Sequence, residues 1–534
     1  MKIPDPPTNP DFDSHGDNDG WSLPSAIPVD DRVIGAPPDA VTGVGRKVTS
    51  GALWLTAQRW AIRLLGFVTI AVLTRLLSPD DFGTVAAAST VLPFFFLLAD
   101  LGFAAYIVQA DKADQRMFST AFWFSMAAGV LLCAVLIAVA PILGLVFHDD
   151  GVTPVIQALS LWVLLTAAGS VPMAILRRNM RFRALAVQGA VAAGVAQVIA
   201  MAMAFSGLGV WALVGQSLAA PAVTSVAAWI TSRWRPRFMF SRGEFRVMVS
   251  FGGQVLGVEF VAMMRAWGEA AVISSTLGIA ALGYMNIAQR LVQVVQDLTG
   301  SAVIPVMTVA FAKIRDNPER LRGAYLRALR IMYGTLALPL TFVAVTAPSL
   351  IPIVFGRGWE DSFQVAQILA LAGVLTVGAA LDHGLFYGLG RPGTWFIYAV
   401  IIDGLTFATT AVLANGGLVA IALGFLSVCL VATVSRWFVT GRLLHARARV
   451  MAGPFGYLIV SVVAAGLVGL GVLHVTSSLP TLVSVLLAGL VMTAVHLAVT
   501  RLMAPQVIPE LLTIVARSKW GKRIAYVRRF REDG

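Results

Sequence analysis

Arg59 and Arg63 stand one helical turn apart in the first long apolar stretch of the chain, residues 51–76. Guanidinium groups grip phosphate oxygens bidentately, so such a pair suits a pyrophosphate. The uncharged run from Leu64 to Thr74 rises about 16 Å, half a bilayer, which places at least Arg63 at membrane depth. For Arg59 the plainer alternative is a side chain that snorkels to the headgroups. Further along, Glu259, Arg265 and Glu269 share one apolar segment, and Arg265 and Glu269 are spaced to pair along a helix. That arrangement is either a cavity charge cluster or a structural ion pair.

Asn286, Gln289, Arg290, Gln293, Gln296, Asp297 and Gly300 recur at steps of three and four. They draw one polar stripe on a helix, and lipid cannot solvate such a face. The stripe therefore lines water or protein. Asp382, His383 and Asp403 add ionisable groups that could relay protons, hold a cation or form packed hydrogen bonds. The candidate substrate-binding residues are Arg59, Arg63, Arg265, Arg290 and Gln293. The candidate ion-coupling residues are Glu259, Glu269, Asp297, Asp382 and Asp403. Because the embedded charges are mixed, sign alone does not choose between an anionic cargo and a cationic one. No metal or cofactor is expected: Cys133 and Cys429 lie far apart in apolar runs, with neither zinc nor disulfide spacing.

The elements that must hold these residues are membrane helices. The chain has 534 residues, 57% hydrophobic and only 13% charged, against about 25% charged in a soluble domain. A crossing needs about 20 apolar residues, and turn signals cut the chain into about fourteen such segments. They fall near 51–76, 84–107, 118–146, 154–176, 184–206, 210–232, 247–273, 282–311, 331–354, 362–387, 395–414, 418–441, 453–474 and 480–501. Arginine and lysine crowd alternate connections, at 177–183, 233–246, 313–330 and 442–449, and the tail from Arg517 on. The other connections hold Asp80, Asp81, Asp149, Asp150, Glu360 and Asp361, with Arg357 as the lone base. This asymmetry predicts cytoplasmic termini and explains the net charge of +12 without nucleic acid. The basic tail also suits anionic membrane lipid.

Residues 1–48 carry eight Asp and no early apolar core, and read as a disordered cytoplasmic tail rather than a signal peptide. The expected organisation is a six-helix lobe over 49–232, a second over 233–444, a helix pair over 445–502 and a basic cytoplasmic tail over 503–534. A weak repeat supports the division. Leu77, Gly83 and Ala88 recur about 200 residues on as Leu277, Gly283 and Ala288. Six helices in each half make the repeat parallel, with its axis along the membrane normal and a cavity between the halves. The Ser78-Pro79-Asp80-Asp81 stretch reads as a helix start with Ser78 as N-cap and Asp81 completing a capping box.

Three segments carry a family resemblance. Leu73 to Gly83, then Asp100-Leu101-Gly102-Phe103 with Val108-Gln109, then Leu176 to Phe182, resemble the polysaccharide transporter family of Wzx-type flippases. Its superfamily includes multidrug-extruding MATE transporters and the lipid II flippase MurJ, and the subgroup in view is the WzxC-like lipopolysaccharide and exopolysaccharide exporters. The resemblance spans about residues 46–450. It implies an all-α membrane fold of two MATE-like six-helix lobes and alternating access. It also implies an undecaprenyl-diphosphate-linked oligosaccharide as cargo in the bacterial inner membrane, cavity arginines on the diphosphate, and a polysaccharide polymerase or export machinery as downstream partner. The acidic N-terminal tail departs from the family pattern.

Two other classes compete. A cation-coupled drug exporter or a peptidoglycan-precursor flippase shares the architecture. An enzyme acting on a carrier lipid needs a large outer domain, and every outer connection here is short; no Gly-x-x-x-x-Gly-Lys-Ser/Thr nucleotide motif occurs either. The reading is a transporter and not an enzyme.

Overall fold

The computed structural model describes residue 62, residues 65–110 and residues 113–510; side chains at 109, 250–259, 297–306, 308–310, 312, 313 and 392 lie outside that description. Among the described residues every regular element is helical. The first is α1, Leu65–Leu76. Then follow α2 (Pro79–Asp100), α3 (Phe103–Gln109), α4 (Gln115–Phe147), α5 (Val152–Arg178), α6 (Phe182–Phe205) and α7 (Val210–Ser232). The remainder is α8 (Arg242–Leu277), α9 (Ile279–Lys313), α10 (Pro318–Phe355), α11 (Ser362–Gly388), α12 (Pro392–Leu413), a 3-10 turn at Ala414–Gly416, α13 (Gly417–Leu443), α14 (Ala448–Val475) and α15 (Thr481–Met503). Ten helical stretches among these residues are long and apolar enough to cross a membrane, α12 and α13 running together in one of them. The chain is a multi-pass membrane protein. The acidic tail expected over 1–48, and the basic tail beyond residue 510, lie outside the described residues.

Two expected boundaries differ for clear reasons. The span placed at 331–354 is the distal part of α10, which starts at Pro318 with Asn317 as its cap, Oδ1 accepting from Arg320 N at 3.0 Å. Its first turns carry Arg320, Arg322 and Arg327, so apolarity fails there while helix geometry continues. The span placed at 84–107 is broken between α2 and α3, where Leu101 (φ 47°) and Gly102 (φ 71°) are both left-handed.

The repeat is visible in the helix register. α2 starts two residues after Leu77, and α9 starts two residues after Leu277. The capping box at Ser78 forms as expected, with Asp81 N on Ser78 Oγ and Ser78 N on Asp81 Oδ2 at 3.0 Å. In the first half α2 and α4 pack on α5, and α5 and α6 on α7; in the second, α9 and α10 pack on α11, and α11 and α12 on α13. The halves meet chiefly where α2 crosses α9. A Cβ added at Gly83 would stand 1.9 Å from the Ile279 carbonyl oxygen, and one at Gly283 would stand 2.1 Å from the Pro79 carbonyl oxygen. Each glycine thus faces the first residue of the other's helix, the reciprocity of a two-fold axis between the halves.

The seam beside this crossing is sealed. Trp359 is 1% exposed, donates Nε1 to the Thr74 carbonyl at 3.0 Å, and packs edge-on against Phe82 and Tyr284. Arg75 Nη2 reaches the Ile353 carbonyl at 2.8 Å, and Ser362 Oγ the Tyr284 carbonyl at 3.0 Å. The connections with Asp80, Asp81, Glu360 and Asp361 all lie at this closed end. The last pair, α14 and α15, docks on α10: His496 bridges Ser461 Oγ at 2.6 Å and the Gly334 carbonyl at 3.0 Å.

Gly83→Ala or Gly283→Ala is expected to force α2 and α9 apart, because backbone carbonyls cannot move aside; overpacking of this kind costs about 1–3 kcal/mol. In a background lacking Cys133 and Cys429, the expected result is faster labelling of Tyr284→Cys by a membrane-impermeant thiol reagent. Gly194→Ala, whose Cβ would meet nothing within 4 Å, serves as control. Equal labelling in all variants contradicts a glycine-dependent seal.

Candidate functional site

The polar stripe on α9 divides between two cavities. Gln289, Gln293 and Gln296 face one of about 360 Å³, enclosed by α8, α9, α11, α12 and α13 and also lined by Arg265, Glu269, Thr376, Thr406, Thr410 and Phe425. Asn286 and Arg290 face the other, about 340 Å³, with Gly66, Ser89, Thr90, Gln216 and Ser217 from α1, α2 and α7. Both volumes fall in the range of small-ligand pockets, about 300–1,000 Å³. Residues four apart share a helix face while adjacent ones turn by about 100°, so Gln289 and Arg290 look to different sides of one helix. The stripe is thus a wall between two polar chambers.

Arg265 sits at the edge of the larger chamber in a three-charge cluster. Its Nη1 donates to Glu269 Oε2 at 2.8 Å, and its Nε lies 2.8 Å from Asp403 Oδ1 on α12. The pairing within α8 was legible from the spacing; the partner from α12 was not. Two carboxylates on one guanidinium leave a formal charge of −1, which makes Arg265 a weaker phosphate ligand than its isolation in sequence implies.

Asp382 is elsewhere. It is enclosed between α11, α10 and α13, accepting from Tyr325 at 2.6 Å, Arg436 Nη1 at 3.2 Å and Thr440 at 3.4 Å. Arg436 also donates to the Leu375 carbonyl at 2.9 Å. The side chains of Arg436 and Asp382 are 7% and 2% exposed. Neither lines the two polar chambers. His383, its neighbour, stacks on Tyr387 at 4.3 Å beside Trp395. Arg436 was the charge missed in the sequence: a base inside the 418–441 span has the same signal as Arg265.

Of the remaining candidates, Arg59 and Arg63 lie outside the described residues. Glu259 and Asp297 belong to α8 and α9, with side chains outside the description.

The motif segments build a clamp around α3. Asp100 is buried, bonds Ser170 Oγ, and accepts from Ala104 N at 3.4 Å, at the helix start. At the other end Arg178 Nη1 donates to the carbonyls of Ile107, at 3.0 Å, and Ala110. An acid at the N-terminus and a base at the C-terminus both oppose the helix dipole favourably. Arg181 extends the clamp to the Thr231 carbonyl of α7 at 3.1 Å. These charges hold backbone and do not line the chambers.

Asp382→Leu is expected to lower stability by about 3–5 kcal/mol, because it strands Arg436 as a buried, unpaired charge. Asp382→Leu with Arg436→Met removes both charges and should recover most of that loss. Thermal unfolding in detergent measures both; a double variant no more stable than the single one contradicts the ion-pair account.

Comparison with known proteins agrees with this architecture. A family profile described as "Polysaccharide biosynthesis protein" matches residues 72–364, more than half of the chain. The succinoglycan biosynthesis transport protein ExoT of Rhizobium meliloti is 27% identical over 376 residues, 70% of this chain and 75% of its own. The lipopolysaccharide biosynthesis protein WzxC of Escherichia coli K12 is 25% identical over 408 residues, covering 74% and 80%. The teichuronic acid biosynthesis protein TuaB of Bacillus subtilis is 23% identical, covering 71% and 79%. Among solved structures, the lipid II flippase MurJ in an inward closed conformation superposes with a TM-score of 0.68 at 11% identity, covering 85% of this chain and all of MurJ. A multidrug resistance MATE family transporter in its inward-facing conformation gives 0.59 at 16% identity, covering 71% and 95%. At those identities the structures establish the fold alone, an all-helical MATE-like transporter bundle. The profile match establishes more: the chain belongs to the polysaccharide biosynthesis protein family.

Proposed function

We propose that the chain is a flippase that carries an undecaprenyl-diphosphate-linked oligosaccharide across the bacterial cytoplasmic membrane for surface polysaccharide assembly. The observation that carries this reading is the pair of polar chambers flanking α9 beneath a sealed seam. Amides, hydroxyls and an arginine inside a lipid-embedded bundle serve a polar cargo, since lipid offers them no partner. The relatives named for succinoglycan, lipopolysaccharide and teichuronic acid biosynthesis support a glycan-bearing cargo.

In this reading the acidic, sealed end faces outward and the basic end and both termini face the cytoplasm. The halves 49–232 and 233–444 rock about the α2–α9 crossing, and 445–502 rides on the second half through α10. Arg290 at the chamber wall, together with Arg63 as the sequence suggests it, holds the diphosphate while the polyprenyl tail stays in lipid. Among the described residues Glu269 and Asp403, beside Arg265, are the best placed acids for an ion-coupling role; the enclosed Asp382 fits a structural role. The cycle binds and releases without a covalent step, and a polymerase on the outer face draws it forward by consuming the product.

Arg63→Ala and Arg290→Ala are each expected to cut surface polysaccharide about tenfold or more while leaving protein level unchanged, since a charge-assisted hydrogen bond contributes about 1.5–3 kcal/mol. Lipid-linked oligosaccharide should accumulate in the inner leaflet of a deletion strain. Normal polymer from both variants sinks the arginine assignment. A deletion strain with full surface polymer and no accumulated precursor sinks the flippase reading itself.

A further inference from the structure

The geometry points to a division of the cargo between the two chambers: the larger one, between α8, α9, α11, α12 and α13, is a subsite for the first neutral sugars of the glycan. This rests on the flippase reading and adds to it where each part of the headgroup sits.

The lining matches carbohydrate chemistry. Gln289, Gln293, Gln296, Thr376, Thr406 and Thr410 converge there. A carboxamide carries a donor and an acceptor side by side, and sugar hydroxyls are donor and acceptor in turn, so the two pair reciprocally. Gln296 is held in place by its Nε2 bond to Thr376 Oγ1 at 3.3 Å. Gln289 and Gln293 are exposed to the chamber and make no hydrogen bond to any described residue, so their amides await a partner. Phe425 and Ile421 give the opposite wall an apolar surface for the C–H faces of a pyranose. At about 360 Å³ the chamber matches a small ligand rather than a whole oligosaccharide.

Charge argues against placing the diphosphate here. The Arg265 guanidinium is shared by Glu269 and Asp403, which leaves the cluster formally negative. A diphosphate entering this side meets a net repulsion, whereas neutral hydroxyls do not. On the other side of α9, Arg290 and Asn286 line the second chamber. One helix therefore presents a base to the phosphates and amides to the sugars, and a headgroup reaching past α9 touches both.

The test uses the purified full chain and two probes, undecaprenyl diphosphate and undecaprenyl diphosphate bearing one neutral hexose, measured by equilibrium binding. The wild-type chain should bind the sugar-bearing probe about tenfold more tightly, the effect of one or two net hydrogen bonds. Gln289→Leu with Gln293→Leu should erase that preference and leave bare-carrier affinity within about twofold, which also shows that the variant is folded. Arg290→Gln should weaken both probes alike. Loss of both probes in equal measure in the glutamine variant, or no wild-type preference for the sugar, overturns the subsite. Failure of the wild-type chain to bind either probe overturns the flippase reading instead.

Discussion

The approach of α2 to α9 is the constraint on which the rest of the bundle depends. Two helices normally keep 8–10 Å between axes because side chains stand between them. At Gly83 and Gly283 nothing stands between, and each backbone lies against a carbonyl of the other helix. In lipid, where apolar side chains gain nothing by leaving solvent, close backbone packing of this kind is a main source of helix association. The crossing draws Phe82, Tyr284 and Trp359 into one aromatic seal, and it fixes α9 at an angle that gives it a polar chamber on either side.

Charge in this protein does two different jobs, and burial separates them. Asp100, Arg178, Asp382 and Arg436 are spent on helix ends, carbonyls and one another. They fix where α3 lies and how α10, α11 and α13 meet. Arg265, Glu269 and Asp403 form a cluster that touches open volume, and Arg290 lies at the wall of the other chamber. An embedded charge is thus a functional candidate only after its partners are known, since the membrane penalises a lone charge in either setting.

Much of this was legible in the sequence, for reasons that differ by feature. The helical class, the cap at Ser78 and the shared register of Leu77 and Leu277 follow from local rules, and local rules survive folding. The α9 stripe was legible as polar, but its division was not: a period of three to four groups Asn286 with Gln289, and only the neighbouring helices show that they open on different chambers. Asp403 beside Arg265, and Arg436 beside Asp382, are contacts between helices far apart in the chain. The amides and hydroxyls of Gln216, Thr406 and Thr410 carry no charge that would mark them in an apolar run, so the chamber walls outside α8 and α9 escaped the sequence.

The connection between the halves has mechanical meaning. Residues 233–241 form no helix, yet they are strapped to α4 along their length. Gln115 Nε2 reaches the Arg235 carbonyl at 2.8 Å, Trp123 Nε1 the Arg237 carbonyl at 2.9 Å, and Thr120 Oγ1 accepts from Ser241 N at 3.0 Å. Phe238 stacks on Trp123 at 4.7 Å. A segment so fastened is part of the first half as a solid body and supplies no slack. Phe245 and Met248, in the first turns of α8, pack with Phe103 and Phe124, so the start of α8 belongs to that body as well. In the proposed rocking, with the glycine crossing near the opposite end of the bundle as fulcrum, the two halves would be coupled as a lever and its bearing rather than as beads on a string.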